Sequence, residues 1–363
     1  MTLPQHSNLS TDKLGSVFSF TSATYKFYWF IAILELFVKQ GKERMVIWEI
    51  IAEIIGHAWY PIHYFHLSFG RADSLDKQIR EIREFTQIPI DRNREELVSD
   101  LLNHPDQRRI KSLLRVFTQN VPFRFLSPWI SMSNMAEKEC AKRSERFENG
   151  CLYALTQEDG EWVITINPDW HEYLRTNYTI LNDFAYWNLA RFVQAKNPNV
   201  PDIINKLIKP IERHALTKQR KFWNSVISHE GGMHCIYTDK LLQVGDYDLD
   251  HFIPWSFVVH DLIWNLLPSD SSINSSKSNK LPNLDIYLSK LAIAHQKAVK
   301  VVYRQNPNNT LLEDYCTIID RPYDLIDLSV EDLVSVFSKT FSPLYQIASN
   351  MSFEKWTYNS QRL

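Results

Sequence analysis

Glycine is scarce in this chain, with nine residues among 363, where an ordinary protein carries about 7%. Neither GxGxxG nor GxxxxGK occurs. Without the glycine-rich loops that bring backbone N–H groups up to a pyrophosphate, dinucleotide-dependent and P-loop nucleotide-hydrolysing functions fall away. Paired cysteines are missing too. Cys140, Cys151, Cys235 and Cys316 are scattered without CxxC spacing, so they read as reduced thiols of a cytosolic protein, with no disulfide framework and no structural zinc. Long apolar runs are absent: Phe27 to Val38 covers about a dozen residues and includes Glu35, too few to cross a bilayer. The first eighteen residues are polar with no apolar core segment, so no secretory signal is expected. The formal net charge is only −2, so any attraction for nucleic acid has to come from local patches.

What is present is a folded chain, 44% apolar and 13% aromatic, long enough for two domains with separate cores. From Ser22 to Gly41 the apolar positions Tyr25, Tyr28, Trp29, Ala32, Ile33, Leu36 and Phe37 recur at three and four, which predicts a helix capped by Gly41. A second helix, buried on both faces, is expected over Arg44 to Ala58. His57, His63 and His66 near its end read as structural histidines among Tyr60, Tyr64 and Phe65. Shorter helices are expected over Asp73–Phe85, Arg94–His104 and Gln107–Phe117. Val121–Trp129, with two prolines and several aromatics, is expected to lie extended across a core, with Arg124 meeting a phosphate or a buried carboxylate. Cys151–Leu155 and Trp162–Ile166 alternate like strands around Gln157-Glu-Asp-Gly160, a hairpin signal.

Asn197-Pro-Asn-Val-Pro201 breaks the chain and marks the expected domain boundary. Lys206, Lys209, Arg213, Lys218, Arg220 and Lys221 then fall on what reads as one long helix, either a solvated face or a nucleic-acid patch. His229-Glu-Gly-Gly-Met-His234 mimics HExxH, but the extra residue and two glycines keep the histidines off one helix turn, so a zinc-protease reading is set aside. Helices over Leu284–Val302 and about Val330–Ser349 are expected to close the structure.

The most informative stretch is DYDLDHFIPWSFVVHDLIWNLLPSDSSINSSKSNKLP, from Asp246 to Pro282. Asp250 and His251 end a strand-like alternation, and Pro254 bends the chain after them. A neutral imidazole suits proton abstraction near pH 7, and oxygen donors suit a hard cation. Asn265 follows an apolar run. Ser269 and Asp270 are good N-caps for a helix holding Asn274, Lys277 and Ser278, with Asn274 and Lys277 on one face at i and i+3.

This order of residues resembles HNH endonucleases, and closely the HNH nuclease domain of RNA-guided CRISPR effector nucleases. Those carry Asp-His, then Pro and Ser, an Asn fourteen residues on, an Asn nine beyond it and a Lys in the final helix. The Cys235-Ile-Tyr-Thr-Asp-Lys segment matches the one that often opens such domains. The likeness covers about residues 213 to 290 and leaves the N-terminal region unassigned. It implies a ββα-metal core in which His251 is the general base, Asp250 and Asn274 hold Mg2+ or Mn2+, Asn265 braces the loop carrying His251, and Lys277 and Lys280 meet phosphates. Asn274 stands at the name-giving position often held by His, which favours a harder cation than zinc. With no zinc knuckles, this core has to be held by its surroundings.

The expected architecture is mainly α with a small α+β module. Residues 1–200 form a helical regulatory or recognition region with a hairpin near 151–166. Residues 201–363 form the nuclease domain, with its core at 234–282 and C-terminal helices packed on it. The expected function is cytoplasmic, metal-dependent hydrolysis of DNA in a bacterial restriction or anti-phage effector, with a mobile-element nuclease as near rival. One core cuts one strand, so double-strand cleavage needs a homodimer, a partner or two sequential nicks. The alternative is a non-catalytic nucleic-acid or protein docking module that keeps the fold.

Overall fold

A computed structural model describes residues 2–131, 136–208 and 215–358, without the side chains of residues 116–119. It is mainly helical with a few small sheets, and the chain separates into two compact units, Met1–Pro198 with Ile203–Lys209, and Asn199–Asp202 with Pro210–Leu363.

In the first unit the elements run α1 (Thr11–Gly15), α2 (Tyr25–Leu34), β1 (Arg44–Val46), α3 (Ile47–His63), α4 (Leu75–Thr86), α5 (Arg94–Leu102), α6 (Gln107–Leu113), α7 (Arg115–Phe125), α8 (Glu137–Glu145), β2 (Tyr153–Glu158), β3 (Glu161–Ile166), α9 (His171–Thr176), α10 (Tyr178–Lys196) and α11 (Ile203–Lys206). The apolar α2 lies between α3 and α10 and buries Trp29, Phe30 and Ile33. It runs on into a π-helical turn, Glu35–Lys39, before Gly41 reverses the chain at φ +70°. Gly56 of α3 allows α5 to come close: a Cβ there would stand 2.9 Å from Val98 and 3.1 Å from Arg94. That approach sets the Arg94 guanidinium 2.7 Å from Glu35 and 3.3 Å from Glu53, with His57 Nε2 at 2.9 Å. Burial raises the Glu53 carboxyl, and Arg94 opposes the rise.

Three expectations are overturned in the fold. Arg44–Val46 is not helical. It pairs antiparallel with β3 (Arg44↔Thr165, Val46↔Val163), giving a three-stranded sheet β1-β3-β2 where a hairpin alone was expected. Val121–Trp129 does not lie extended, because its first half completes α7 across Pro122. A proline inside a helix costs about 3 kcal/mol. Here Val121, Phe123 and Phe125 are buried and the Pro122 carbonyl accepts the Tyr153 hydroxyl at 2.5 Å, so packing outweighs the local penalty. Arg124 is exposed on this helix. The third correction concerns the basic run. Helix α11 ends at Lys206, which is buried, and among the described residues the next helix begins at Thr217; Lys209 and Arg213 lie outside the described residues.

The second unit comprises α12 (Thr217–Glu230), β4 (Met233–His234), β5 (Leu241–Leu242), β6 (Asp248–His251), α13 (Trp255–Val258), β7 (Leu266–Ser269), α14 (Ser271–Lys277), β8 (Leu281–Pro282), α15 (Leu284–Gln305), α16 (Val330–Asn350) and β9 (Lys355–Trp356), with 3-10 turns at Ile263–Asn265, Thr310–Thr317 and Pro322–Asp327. Helix α15 packs against α12 and α16. Around it and its own His295 gather Trp223, Tyr315, Phe337 and Phe341, all fully buried. The surroundings that staple β6 and β7 are aromatic. Trp223 donates to the Leu266 carbonyl at 3.1 Å, Phe341 meets Phe252 and Trp264, and β9 pairs parallel with β8.

Among the described residues burial holds three histidines neutral, His57 and His63 in the first unit and His295 in the second, with His57 brought to about 3 by desolvation first and then by Arg94. His63 is pushed down to about 3, by desolvation first and then by Arg83 and Arg80; desolvation alone brings His295 to about 3. An unfolded histidine binds its proton near pH 6.5, so between pH 6.5 and about 3 the unfolded chain holds more protons than the folded one. Stability is therefore complete above pH 6.5 and falls as the pH drops. By pH 5 each histidine should cost about 2 kcal/mol. A urea midpoint that does not move between pH 7.5 and 5 would show that these rings are not held neutral. His295→Phe should flatten the acid limb of the second unit.

Candidate functional site

Strand β6 pairs antiparallel with β7, Asp250 opposite Leu267 and His251 opposite Leu266. Adjacent strand residues point to opposite faces. Asp250 goes inward, 3% exposed, while the His251 side chain keeps 12% of its surface in solvent. The chain leaves β7 into α14, which packs against β6. Asp270 caps α14, accepting from Ser272 N at 3.0 Å. Lys240, 2.6 Å away, and Ser272 hold the Asp270 carboxyl down at about 2, so the cap stays ionised.

Asn265 is buried and clasps the backbone after His251. Its Oδ1 accepts from Ile253 N at 2.8 Å and its Nδ2 donates to Ile253 O at 2.9 Å, while Phe252 N donates to Asn265 O at 2.8 Å. Fully buried and bonded at both ends of its amide, the side chain shapes this loop. Pro254 opens the single-turn helix α13, and Val259 ends it at φ +55°, ψ 34°. A β-branched residue pays roughly 1–2 kcal/mol for that left-handed conformation. The turn sends the chain back so that the Asp261 carboxylate meets His251 Nε2 at 2.8 Å.

Lys277 is not where a phosphate contact would sit. It is 0% exposed, its Nζ 2.9 Å from Asp250 Oδ1 and donating to His251 O at 2.7 Å. Asn274 and Lys277 both lie on α14 at i and i+3, and the helix turns Lys277 inward. The second Asp250 oxygen accepts the Tyr237 hydroxyl at 2.7 Å. Burial, and then the Asp250 charge, raise Tyr237 well above the ordinary phenol value, which keeps it a donor. Tyr237 is wedged edge-on between Tyr287 and Trp356, with ring centroids at 5.0 and 5.2 Å. Asn274 is half-buried one turn before Lys277. Lys280 is half-buried, with 41% of its side chain in solvent and its Nζ 3.6 Å from Glu354.

Among the described residues no three His, Cys, Asp or Glu side chains converge as a metal-binding group. The candidate donors named from the sequence, the Asp250 carboxylate and the Asn274 amide, both offer oxygen. A carboxylate has about four lone-pair positions, and Asp250 gives two of them to Lys277 and Tyr237. Two donors fit a hard cation that keeps most of its water and takes further oxygens from a phosphate.

Several functional neighbours had no local signature. Tyr237 lies in the quoted Cys235 segment without a role being visible there. Asp261 occupies a loop where any polar residue would pass, and the residues that clamp it lie far away in the chain.

Residues 235–283 match the family model described as HNH endonuclease, and the rest of the chain has no family match. No curated protein and no solved structure matches this chain. Among the described residues no helix is long and apolar enough to cross a membrane.

Proposed function

We propose that the second unit houses a ββα-metal core, formed by β6, β7 and α14, that hydrolyses DNA phosphodiester bonds with Mg2+ or Mn2+. The observation that carries this reading is the division of labour on β6. One residue, His251, reaches solvent with a single ring nitrogen tied to a carboxylate. Its neighbour Asp250 is turned inward toward the helix that bears Asn274. In this reading His251 takes the proton of the attacking water, while Asp250 and Asn274 hold the cation. When bound, the cation offsets charge growing on the phosphoryl and leaving oxygens. Asn265 fixes the loop, and Lys277 with Tyr237 sets the Asp250 carboxylate. Products would carry 5′ phosphates, following the family likeness.

Supercoiled plasmid incubated with the full chain and Mg2+ should become nicked circles, and EDTA should stop the reaction. Nicking equal in wild type and His251→Ala would end the assignment. One observation favours a second reading, docking without catalysis: both Asp250 oxygens are already engaged by protein donors. The same assay decides between the two.

Phosphate contacts are assigned to cations that reach solvent. Besides Lys280, α12 presents Lys218 and Lys221 along a cleft of about 250 Å3, which is also lined by Ser225, Asn306 and Asn309. Among the described residues neither lysine is in an ion pair. In a His251→Ala background, where cutting is slow compared with binding, alanine at Lys218 or Lys221 should reduce the slope of log affinity against log salt by about 0.9 for each phosphate no longer neutralised. Filter binding from 50 to 200 mM salt measures it, and an unchanged slope for both would place the strand elsewhere.

The first unit, with no family match, is assigned control or target choice, as in a restriction or anti-phage effector. Full cleavage with unchanged substrate choice by residues 201–363 alone would remove that role.

A further inference from the structure

We infer that Asp261 is the positioning residue for His251, and that it is held in place from outside the matched segment by Gln219 of α12 and Asp314 of the 310–317 turn. The inference rests on the proposed role of His251 and deepens it. The Asp261 carboxylate stands 2.8 Å from His251 Nε2, and its side chain is 28% exposed, so it is held at the edge of the site rather than packed into a core. The loop around it is clamped on both sides. Gln219 Nε2 donates to Asp261 O at 3.2 Å, and Asp314 Oδ2 accepts from Ile263 N at 2.8 Å. Val259, in the left-handed region at φ +55°, supplies the reversal between α13 and this loop.

An ionised carboxylate only accepts hydrogen bonds, so a neutral His251 facing it carries its proton on Nε2. The lone pair then resides on Nδ1. Among the described residues no protein group bonds to that nitrogen, which leaves it available to a water. The His251 backbone is fixed separately through Lys277 Nζ on its carbonyl. Ring and backbone are thus anchored at two points, and only the reactive nitrogen is left open. A carboxylate in this place sets tautomer and ring orientation together, as outer partners of functional histidines do.

The test uses the full chain, supercoiled plasmid and Mg2+, with three variants. Asp261→Ala should lower kcat about 10- to 100-fold, the range for lost outer partners, with KM unchanged within about twofold. Asp261→Asn keeps an acceptor for Nε2–H and should recover part of the loss. In a His251→Ala background Asp261→Ala should bring no further loss, because its effect passes through the imidazole. Independently of activity, 15N spectra of the His251 ring should show the Nε2–H tautomer in wild type and a mixture in Asp261→Ala. Wild-type kcat in Asp261→Ala, an additional loss in the His251→Ala background, or an unchanged tautomer would each overturn the inference. If wild type does not nick at all, the nuclease reading fails, while the tautomer measurement still decides on Asp261. Melting midpoints within about 2 °C of wild type exclude a merely unfolded variant.

Discussion

His251→Ala is expected to nick plasmid about 10²- to 10⁴-fold more slowly than wild type, the contribution typical of a positioned general base, with the fold intact. The imidazole keeps 12% of its surface in solvent and its ring is bonded to Asp261, a partly exposed carboxylate that is rehydrated at little cost once the ring is gone. Asn274→Ala should also slow cleavage, but through a different dependence. Removing an oxygen donor should raise the Mg2+ concentration needed for half-maximal rate, whereas removing the base should leave that concentration alone. Initial rates over a range of Mg2+ separate the two, and added imidazole should restore part of the His251→Ala rate only. If His251→Ala lost less than about tenfold, the proton would have another acceptor and the general-base role would fail.

Local periodicity was enough for the elements whose faces are set by neighbours in sequence. The 3.6-residue repeat of α2, α15 and α16 and the alternation across Tyr153–Ile166 could be read directly, as could the Asp-His strand end and the capped helix after Asp270. What could not be read depended on partners far along the chain. The Arg44–Val46 segment becomes a strand only because β3 offers an edge for it. Pro122 is tolerated inside a helix only because Val121, Phe123 and Phe125 have a core to enter. Helical spacing put Lys277 beside Asn274, but spacing does not say whether a face meets solvent or a buried carboxylate. Asp261, Gln219 and Asp314 come from three separate segments, and the clamping of the loop that brings Asp261 to His251 is a tertiary fact.

That burial changes what removal of Lys277 should do. A phosphate-contacting lysine would be lost at no cost to stability and would lower the salt slope of DNA binding by about 0.9. The Lys277–Asp250 pair is instead almost wholly withdrawn from water, and breaking such a pair from one side leaves the other charge buried, at a cost of about 3–5 kcal/mol. Lys277→Met, close in volume, should therefore lower the unfolding free energy of the second unit by that amount and leave the salt slope unchanged. Asp250→Asn should destabilise too, because it strands the ammonium. The double variant Asp250→Asn, Lys277→Met should lose less than the sum, with a coupling of about 0.5–3 kcal/mol, as expected of residues in direct contact. The Tyr237 hydroxyl keeps its acceptor in that protein, since the amide oxygen introduced by Asp250→Asn still accepts a hydrogen bond. Urea unfolding of the three variants, beside filter binding of DNA, tests both halves. A Lys277→Met protein as stable as wild type but with a reduced salt slope would return Lys277 to the phosphate and leave Asp250 without its neutralising partner.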